Sequence, residues 1–229
     1  MTNFTSLIAG STGYLGSKIL NYLSKEDEKI YSLSRRKNSL NNTNLEELII
    51  DFESLDEFEL PKIEHVYLCL GYELRAWEII VMPDKLKKPF YKVDYEYTLN
   101  IAKKSLDAGA KSISLVSAIG ANSDSTSFYL KTKGELEEEI KKLPFETINI
   151  FQPGHLAGRI NWQREKNDPR IDDFAFEIAS LFFDPFMISG LRNFRSINAE
   201  RLAKFIIKKS KENHNGINYM SYNDFTYDN

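Results

Sequence analysis

The residues best suited to chemistry are a tyrosine and a lysine four positions apart, Tyr129 and Lys133, in a segment with helical periodicity. On a helix, this spacing places both side chains on one face, so that the lysine ammonium can approach the phenol. A free tyrosine, with a pKa near ~10, exchanges protons poorly at neutral pH, but a nearby cation favours the phenolate and lowers that pKa. The spacing therefore predicts that Tyr129 acts as a general acid or base supported by Lys133.

A third candidate, Ser117, ends an apolar strand-like run twelve residues before Tyr129. Its hydroxyl is predicted to donate a hydrogen bond to a carbonyl oxygen on which negative charge develops. A tyrosine and a lysine at this spacing also occur together on solvated helix surfaces, so the pair by itself fits both interpretations. The strand-end serine and the glycine turn described next favour the catalytic one.

A glycine-rich turn joins the first strand-like run to the first helical run, with glycines at positions 10, 13 and 16. Glycines allow a sharp turn and a close approach of backbone to a pyrophosphate, whose charge the helix N-terminus favours. The turn therefore predicts a dinucleotide site, although any strand-to-helix turn can use glycine for structural reasons alone. The predicted binding residues of this turn are Gly10, Ser11, Thr12, Gly13, Tyr14, Leu15 and Gly16.

The end of the second strand-like run usually distinguishes NAD from NADP, because an acidic residue there binds the ribose 2′-hydroxyl. This chain has Ser34, Arg35 and Arg36 at that place and no acidic residue. Arginine binds phosphate through two parallel hydrogen bonds, so these residues predict NADP(H) over NAD(H), the alternative being a solvated strand end. Asp51 and Phe52, after the third run, are predicted to lie at the adenine, unless Asp51 only caps the following turn.

These residues have to be positioned by a sheet and its helices. Short β-branched runs at 4–9, 29–34, 48–51, 65–70, 111–117 and 147–151 alternate with helical stretches at 14–24, 93–108 and 128–143. The alternation predicts an α/β fold with a doubly wound parallel sheet, the Rossmann fold. We expect one domain over 1–229: a cofactor-binding core at 1–151, then a small substrate-covering region at 152–229 with a polar loop at 161–173, an aromatic helix-like run at 174–183 and a helix at 198–210.

The chain resembles the short-chain dehydrogenase/reductase superfamily, in particular its atypical NAD(P)-binding branch that includes Tat-interacting oxidoreductase-like proteins. The residues that carry the resemblance are 10–16, 34–36, 69–71, 93–94, 115–117, 129–135 and 152–159. The resemblance implies that Ser117, Tyr129 and Lys133 form a reductase triad, with Lys133 also holding the nicotinamide ribose. It further implies that Leu70 and Gly71 lie against that ribose and that a loop containing Pro153, Gly154 and His155 closes over the nicotinamide.

Two features depart from the branch's pattern. Gln152 stands where an arginine commonly precedes the Pro-Gly pair. The stretch 72–90 is longer than in relatives, which predicts a reshaped or covered pocket.

The glutamates at 135 and 137–139 are interpreted as a solvated helix face. The apolar pairs Phe182-Phe183 and Phe186-Met187 are interpreted as core, the alternative being the lining of a substrate pocket or a partner surface.

Composition excludes several other classes. The net charge of −3, without a basic cluster, speaks against nucleic acid and an anionic membrane surface, and no apolar stretch is long enough to span a bilayer. No signal peptide is expected, and a lone cysteine, Cys69, in an apolar run predicts a buried thiol in a reducing cytoplasm. Three scattered histidines predict no metal site.

The leading hypothesis is an NADP(H)-dependent oxidoreductase that reduces a small carbonyl compound, with Tyr129 as the proton donor. The main alternative is a non-catalytic NADP(H)-binding sensor that acts through a protein partner, with 182–191 or 72–90 as its surface, and a homodimer is also open. A third hypothesis is that the protein is a sugar-nucleotide epimerase. The measurement that separates the first two is turnover of a carbonyl by protein that binds the nucleotide.

Overall fold

The structure is a computed structural model that describes residues 4–38, 40, 42–158, 184, 189–212 and 214–227. The predicted polar loop at 161–173, the aromatic run at 174–183, and the pair Phe186 and Met187 lie outside these described residues. Everything that follows concerns the described part of the chain.

The centre of the fold is a parallel sheet built from short apolar runs. Its seven described strands are β1 (Thr5–Ala9), β2 (Lys29–Ser34), β3 (Leu45–Ile49), β4 (His65–Leu68), β5 (Ser112–Val116), β6 (Thr147–Phe151) and β9 (Gly216–Met220). They lie in the order β3-β2-β1-β4-β5-β6-β9, and every neighbouring pair is parallel. Two short strands, β7 (Leu156–Ala157) and β8 (Ile197–Asn198), pair with each other outside this sheet.

This order confirms the predicted doubly wound parallel fold. The chain builds β1 to β3 outward in one direction and then returns to place β4 on the other side of β1. The strand order therefore reverses between β1 and β4, and a crevice opens at such a point beyond the carboxyl ends of the two strands. In this chain those ends lead into Gly10 and Cys69, so the glycine turn lies at the crevice.

Helices cover both faces of the sheet, as βαβ crossovers require. They are α1 (Tyr14–Leu23), α2 (Ala76–Ile80), α3 (Asp84–Tyr91), α4 (Thr98–Asp107), α5 (Phe128–Lys141), α6 (Ala199–Ser210) and α7 (Tyr222–Tyr227). Apolar residues of α1 and α6 form one buried cluster against the sheet, and those of α4 and α5 form another. The asparagine at 198 begins α6 by accepting hydrogen bonds from the N–H groups of Glu200 and Arg201.

Three features of the fold differ from the sequence prediction. The third strand covers 45–49 rather than 48–51, and Asp51 lies beyond it. The edge strand β9 comes from the region predicted to hold only substrate-side loops and a terminal helix. The stretch 72–90 contains α2 and α3, and a π-helical turn at Lys92–Tyr97 joins α3 to α4. Pro89 within α3 and the short length of α2 concealed these helices from a periodicity search.

A buried carboxylate lies just before β2, at the amino edge of the sheet. Glu28 is 4% exposed, and burial raises its pKa to about 7, with Lys211 opposing this and Glu26 adding to it. A carboxyl whose pKa is raised on folding stabilises the fold fully below its unfolded pKa of 4.5, and this contribution disappears as pH rises through about 7. The ionised form of Glu28 therefore destabilises the protein in neutral and alkaline solution.

We expect Glu28→Gln to raise the free energy of unfolding at pH 8 by on the order of 2 kcal/mol, because the neutral amide removes a buried charge. At pH 5 the gain should be much smaller, since Glu28 is then protonated in the folded protein. Urea unfolding at the two pH values measures the difference. Glu46→Gln, which changes an exposed carboxylate that pairs with Lys29 at 2.8 Å, is the matched control. An equal gain from Glu28→Gln at both pH values would contradict the assignment.

Candidate functional site

The glycine turn has the close backbone contacts that a phosphate-binding loop requires. Gly10 has a φ of 90°, and a Cβ added there would lie 2.5 Å from the carbonyl carbon of Cys69. A Cβ on Gly16 would lie 2.1 Å from the Gly10 oxygen. The turn closes with a 3.0 Å hydrogen bond from the Gly13 N–H to the Gly10 oxygen, and α1 begins directly after it. The positive end of the α1 dipole therefore faces a tight backbone cradle that suits a pyrophosphate.

The hydroxyl of Ser11 connects this turn to the end of β2. It lies 2.7 Å from the Ser32 hydroxyl, and Asn38 Nδ2 donates to both hydroxyls, at 3.1 Å to Ser11 and 2.8 Å to Ser32. Sequence analysis missed Asn38, because it lies in a polar loop with no periodicity. These hydrogen bonds fix the glycine turn and the loop after β2 relative to each other. The Ser11 hydroxyl is thus hydrogen-bonded to other residues of the protein, and its contact with a nucleotide stays a prediction.

The residues predicted to distinguish NADP from NAD lie at the end of β2, and those predicted to lie at the adenine follow β3. The guanidinium of Arg35 lies 6.0 Å from the centre of the Phe52 ring, within the range of a cation–π contact, and Arg36 is exposed. Ser34 is buried, and its hydroxyl donates to the Arg36 carbonyl at 2.6 Å. Asp51 accepts a hydrogen bond from the Glu53 N–H at 3.1 Å and caps a 3₁₀ turn at Phe52–Glu57.

These positions sort the predicted residues into two groups. Arg35, Arg36 and Phe52 present charge and an aromatic face near one another at the carboxyl edge. Ser34 and Asp51 already make local hydrogen bonds, and Asp51 has the capping role that sequence analysis weighed as its alternative. A direct contact of either residue with a nucleotide stays a prediction.

Leu70 and Gly71 follow β4 and lie beside the glycine turn. Leu70 is buried and Gly71 is exposed. A Cβ on Gly71 would meet nothing closer than Asp94 Oδ1, at 4.0 Å, so there is room for a small side chain at this position.

Burial raises the pKa of the neighbouring Cys69 thiol to about 12, although the positive charge of Lys133 opposes this. The thiol is therefore protonated at neutral pH, as a structural cysteine is.

Lys133 lies on α5 and forms a buried ion pair that sequence analysis did not predict. Its Nζ is 2.7 Å from Asp94 Oδ1, and the two residues are 5% and 2% exposed. Burial opposes a charge on Lys133, but Asp94 and Tyr129 outweigh it and hold the pKa of Lys133 above its usual value. The structure therefore brings Tyr129 and Lys133 together with Asp94, a residue whose partner only the fold reveals.

Ser117 makes a different set of contacts from the ones predicted. Its hydroxyl donates a short hydrogen bond to Glu137 Oε1, and Gln152 Nε2 donates to the two oxygens of the same carboxylate at 3.0 and 3.1 Å. The single hydroxyl proton of Ser117 is thus already donated within the protein. Its donation to a substrate carbonyl stays a prediction, and it requires this hydrogen bond to break.

Glu137 corrects the interpretation of the glutamates on α5 as a wholly solvated face. It is buried, and burial raises its pKa, opposed by the hydrogen bonds from Gln152 and Ser117. Glu137 lies one helical turn beyond Lys133 and two turns beyond Tyr129, on the same stripe of α5. That spacing was a signal in the sequence, but neighbouring exposed glutamates concealed it.

The loop after β6 lies where the resemblance places a cover over the nicotinamide. Pro153 accepts a hydrogen bond from the Ile119 N–H at 3.0 Å, which joins the loop to the segment after β5. A Cβ on Gly154 would lie 2.8 Å from the carbonyl oxygens of Phe194 and Arg195. The carbonyl of His155 accepts from the Ile197 N–H at 2.8 Å. The loop is therefore packed against the turn before β8; its predicted last residue, Arg159, lies outside the described residues.

The hydroxyl of Tyr14, in the glycine turn, donates to the Ala157 carbonyl at 2.7 Å. This hydrogen bond joins the glycine turn to the loop after β6 across the crevice. Leu15, the next residue, is buried against the sheet, and its contact with a nucleotide stays a prediction. Thr12 lies in the turn itself.

The long stretch 72–90 packs against the predicted catalytic tyrosine. Leu74, Met82 and Phe90 form a buried cluster, and the Phe90 ring lies 5.5 Å from the Tyr129 ring. The outer side of the same stretch is apolar and exposed, with Ile80 73% exposed beside Trp77 and Val81. The stretch therefore packs on one side of Tyr129 and presents an apolar surface outward, and the predicted reshaping or covering of a substrate pocket stays a prediction.

In the part of the chain that the structure describes, no three or more His, Cys, Asp or Glu side chains converge on a point that could hold a metal ion. No helix in the described ranges combines the length and the apolar character that crossing a bilayer requires.

Comparison with known proteins bears on this geometry. A model of the NAD dependent epimerase/dehydratase family matches residues 6–158. Protein FMP52, mitochondrial, of Meyerozyma guilliermondii is 32% identical over 180 residues, which are 77% of this chain and 73% of that protein. Protein HTATIP2 of Rattus norvegicus is 31% identical over 165 residues, which are 68% of this chain and 64% of that protein.

Solved structures agree on the fold. A short chain dehydrogenase family protein from Francisella tularensis has a TM-score of 0.69 and 16% identity, and the match covers 95% of this chain and 96% of that one. Human epimerase family protein SDR39U1, solved with NADPH, has a TM-score of 0.65 and 15% identity, covering 95% and 74%. The chain therefore belongs to the NAD-dependent epimerase/dehydratase family, within the short-chain dehydrogenase/reductase superfamily that its motifs resemble.

Proposed function

We propose that this protein is an NADP(H)-dependent reductase of a small carbonyl compound, with Tyr129 as the proton donor. The observation that carries the proposal is the buried, charged Lys133 beside Tyr129, at the edge of the sheet where the glycine turn also lies. A buried ionic group is costly, and groups of this kind are concentrated at functional sites. The glycine turn fits a dinucleotide because side chains at positions 10 and 16 would fill its cradle.

Each residue has a stated task in this proposal. The nicotinamide supplies the hydride when the cofactor is bound. Lys133 holds a positive charge near the Tyr129 phenol, which favours the phenolate left after Tyr129 gives its proton to the carbonyl oxygen. Phe90 packs on the Tyr129 ring and limits its motion. Ser117 donates to Glu137 in the structure, and this bond connects β5 to α5, the helix that carries Tyr129. Its predicted donation to the carbonyl oxygen requires that bond to break when substrate binds.

Arg35 provides the test of cofactor choice. We expect Arg35→Ala to weaken NADPH binding about tenfold or more and to leave NADH binding nearly unchanged, because only NADPH carries the 2′-phosphate. Calorimetric titration of cofactor-stripped protein with each nucleotide measures this. Lys111→Ala is the control, since Lys111 precedes β5 at the opposite, amino edge of the sheet. Failure of the wild type to bind either nucleotide would overturn the proposed function, and an equal effect on both would overturn the role of Arg35.

Tyr129 provides the test of catalysis. We expect Tyr129→Phe to reduce kcat for carbonyl reduction by about 10² or more while NADPH affinity stays within a small factor, because the ring is kept and only the proton donor is lost. Oxidation of NADPH with a panel of aldehydes and ketones measures turnover. Tyr95→Phe, in the π-helical turn, is the control, since its ring stacks on Tyr91 and not on Phe90. Unchanged turnover in Tyr129→Phe would remove Tyr129 from the mechanism.

A second candidate is a non-catalytic NADP(H)-binding protein that acts through a protein partner. The exposed apolar side chains of Trp77, Ile79, Ile80 and Val81 favour it, because a contiguous apolar patch on a soluble surface is a usual site of association. The other predicted surface, 182–191, lies mostly outside the described residues. Protein that binds NADPH tightly but turns over no member of the carbonyl panel would support this candidate over the reductase.

Epimerisation of a nucleotide sugar is the third candidate, and the family's own description favours it. Four solved neighbours, at 14% or 15% identity, are also complexes with UDP-sugars. A thermal-shift titration of the NAD- or NADPH-loaded protein with UDP-glucose tests it. A saturable rise in Tm would place this candidate ahead of carbonyl reduction, and no rise would count against it.

For the compartment, we propose the cytoplasm, on the strength of the lone protonated thiol of Cys69. The mitochondrial names of the FMP52 relatives supply the competing location. Fractionation of cells that express the full chain with a C-terminal tag distinguishes the two. Recovery of the tagged chain with mitochondria would overturn the proposal.

A further inference from the structure

Asp94 is a charged residue with almost no access to water and no role in the triad that the motifs imply. It lies in the π-helical turn at Lys92–Tyr97, a widened geometry that is rare in helices and frequent at functional sites. Asp94 faces inward from this turn, while Glu96 is exposed. The hydroxyl of Thr98 donates to the Val93 carbonyl at 3.0 Å and supports the widened turn.

Each oxygen of the Asp94 carboxylate has a different partner. Oδ1 lies 2.7 Å from the Lys133 ammonium, and Oδ2 accepts a hydrogen bond from the Tyr72 N–H at 2.6 Å. A Cβ on Gly71 would lie 4.0 Å from Oδ1. The carboxylate is thus fixed by the backbone that follows β4, at the place where the family resemblance puts the nicotinamide ribose.

The charge state of Lys133 depends on a balance among its neighbours. Four titratable groups act on it: Asp94 from the π-helical turn, Tyr129 and Glu137 from its own helix, and Cys69 from the segment after β4. Cys69 is protonated at neutral pH and carries no charge there. Burial disfavours the ammonium, and among the other groups Asp94 is the one in direct ionic contact. Without that contact, a lysine this deeply buried tends to lose its proton near neutral pH.

We propose that Asp94 is a positioning residue of the site: its carboxylate, fixed by the Tyr72 N–H, keeps Lys133 protonated and directed toward Tyr129 and the segment at Gly71. The inference rests on the proposed function, because it supplies the charged lysine that the reductase mechanism requires. It also adds a requirement that the triad lacks, since a lysine buried without a counterion cannot support the tyrosine at neutral or alkaline pH. Asp94 acts through Lys133 and exchanges no proton with substrate.

The test is the pH dependence of NADPH binding to the full-length wild type and to Asp94→Asn, measured by calorimetry from pH 7 to pH 9.5. Wild-type affinity should stay nearly constant, because Lys133 remains charged. In Asp94→Asn, affinity should fall about tenfold or more across this range as Lys133 loses its proton and its charged hydrogen bonds. Asp84→Asn, which breaks the exposed 2.6 Å pair with Lys87, is the matched control and should follow the wild type. An affinity of Asp94→Asn that equals that of the wild type at every pH, or an equal fall in Asp84→Asn, would overturn the proposal.

A second measurement needs neither the cofactor nor a stable Asp94→Asn variant. Lysine labelled with ¹³C at Cε reports the protonation of each ammonium by NMR, and Lys133→Arg identifies the Lys133 resonance by its loss. In the wild type this resonance should titrate at a higher pH than a free lysine does, because Asp94 holds the pKa of Lys133 up, and titration at a lower pH than a free lysine would overturn the inference. Failure of the wild type to bind either nucleotide would overturn the proposed function, while the NMR titration would still decide whether Lys133 stays protonated in its pair with Asp94.

Discussion

We expect the Gly16→Ala variant to lose on the order of 3 kcal/mol of unfolding free energy and to bind neither NADPH nor NADH at measurable affinity. Helix propensity by itself predicts the opposite sign, because alanine in place of a helical glycine stabilises by about 1 kcal/mol. The contact decides the outcome. The added Cβ would lie 2.1 Å from the Gly10 oxygen and 2.8 Å from the Gly10 carbonyl carbon. Both atoms belong to backbone, so relief requires α1 to move away from the turn.

Urea unfolding and calorimetric titration with both nucleotides measure these two effects. Gly71→Ala is the control for stability, since a Cβ there meets nothing closer than Asp94 Oδ1 at 4.0 Å. Its unfolding free energy should match or slightly exceed that of the wild type. A Gly16→Ala variant that is as stable as Gly71→Ala and still binds a nucleotide would show that the turn tolerates side chains, and the dinucleotide site would then have to be placed elsewhere.

The second large effect is expected from Lys133→Met, which should lower the free energy of unfolding by about 3–5 kcal/mol at pH 7. Methionine fills much of the volume of the lysine stem, so the loss comes from the Asp94 carboxylate, which stays buried without its cation. Burial then raises the pKa of Asp94 without opposition from Lys133. A carboxyl raised on folding destabilises above its folded pKa, so the deficit should shrink as pH falls and the carboxyl takes up a proton.

A double-mutant cycle isolates this pair. Asp94→Asn combined with Lys133→Met removes both charges and should recover a large part of the stability lost in Lys133→Met alone. The exposed pair of Lys87 and Asp84, at 2.6 Å against 2.7 Å for Lys133 and Asp94, is the matched comparison, and Lys87→Met should cost no more than about 1 kcal/mol. A deficit in Lys133→Met that stays constant between pH 7 and pH 4 would mean that lost packing, and not the unpaired carboxylate, is its cause.

Two buried groups away from the site, His65 and Glu28, should make the free energy of unfolding depend on pH in opposite directions. Burial lowers the pKa of His65, which lies between the hydroxyls of Ser112 and Ser114, to about 3. Its contribution is therefore present above pH 6.5 and is lost as pH falls toward 3, which is the reverse of the dependence of Glu28. The free energy of unfolding is therefore expected to be greatest in the mildly acidic range, between the pKa of about 3 for His65 and the pKa of about 7 for Glu28.

Local residue patterns predicted the parts of this protein that depend on neighbours along the chain. The β-branched runs formed parallel strands, and the strands at 29–34 and 147–151 have the predicted bounds. The glycine turn could be predicted because its three glycines, the strand before it and the helix after it all lie within about twenty residues. The spacing of Tyr129 and Lys133 predicted one helix face for the same reason, since a helix relates residues that are close in sequence.

Pairings between distant segments could not be predicted in this way. Asp94 and Lys133 meet across two elements, and neither residue type nor spacing distinguishes Asp94 from the exposed acids around it. Glu137 belongs to a glutamate-rich stretch, and only the packing of α5 against the sheet decides that this one carboxylate meets Ser117 and Gln152. The strand β9 is short and ordinary in sequence, and it is a strand because β6 offers an open edge for pairing.

The sequence by itself therefore determined the fold class, the phosphate turn and the face that carries Tyr129 and Lys133, because each depends on periodicity or on spacing within one segment. Only the tertiary structure decided which charges are buried and what they meet: Asp94 with Lys133, and Glu137 with Ser117. The physical reason is that the energy of a charged group depends on burial and on its partners. Both are properties of the assembled sheet and helices, in which segments far apart in the chain come into contact.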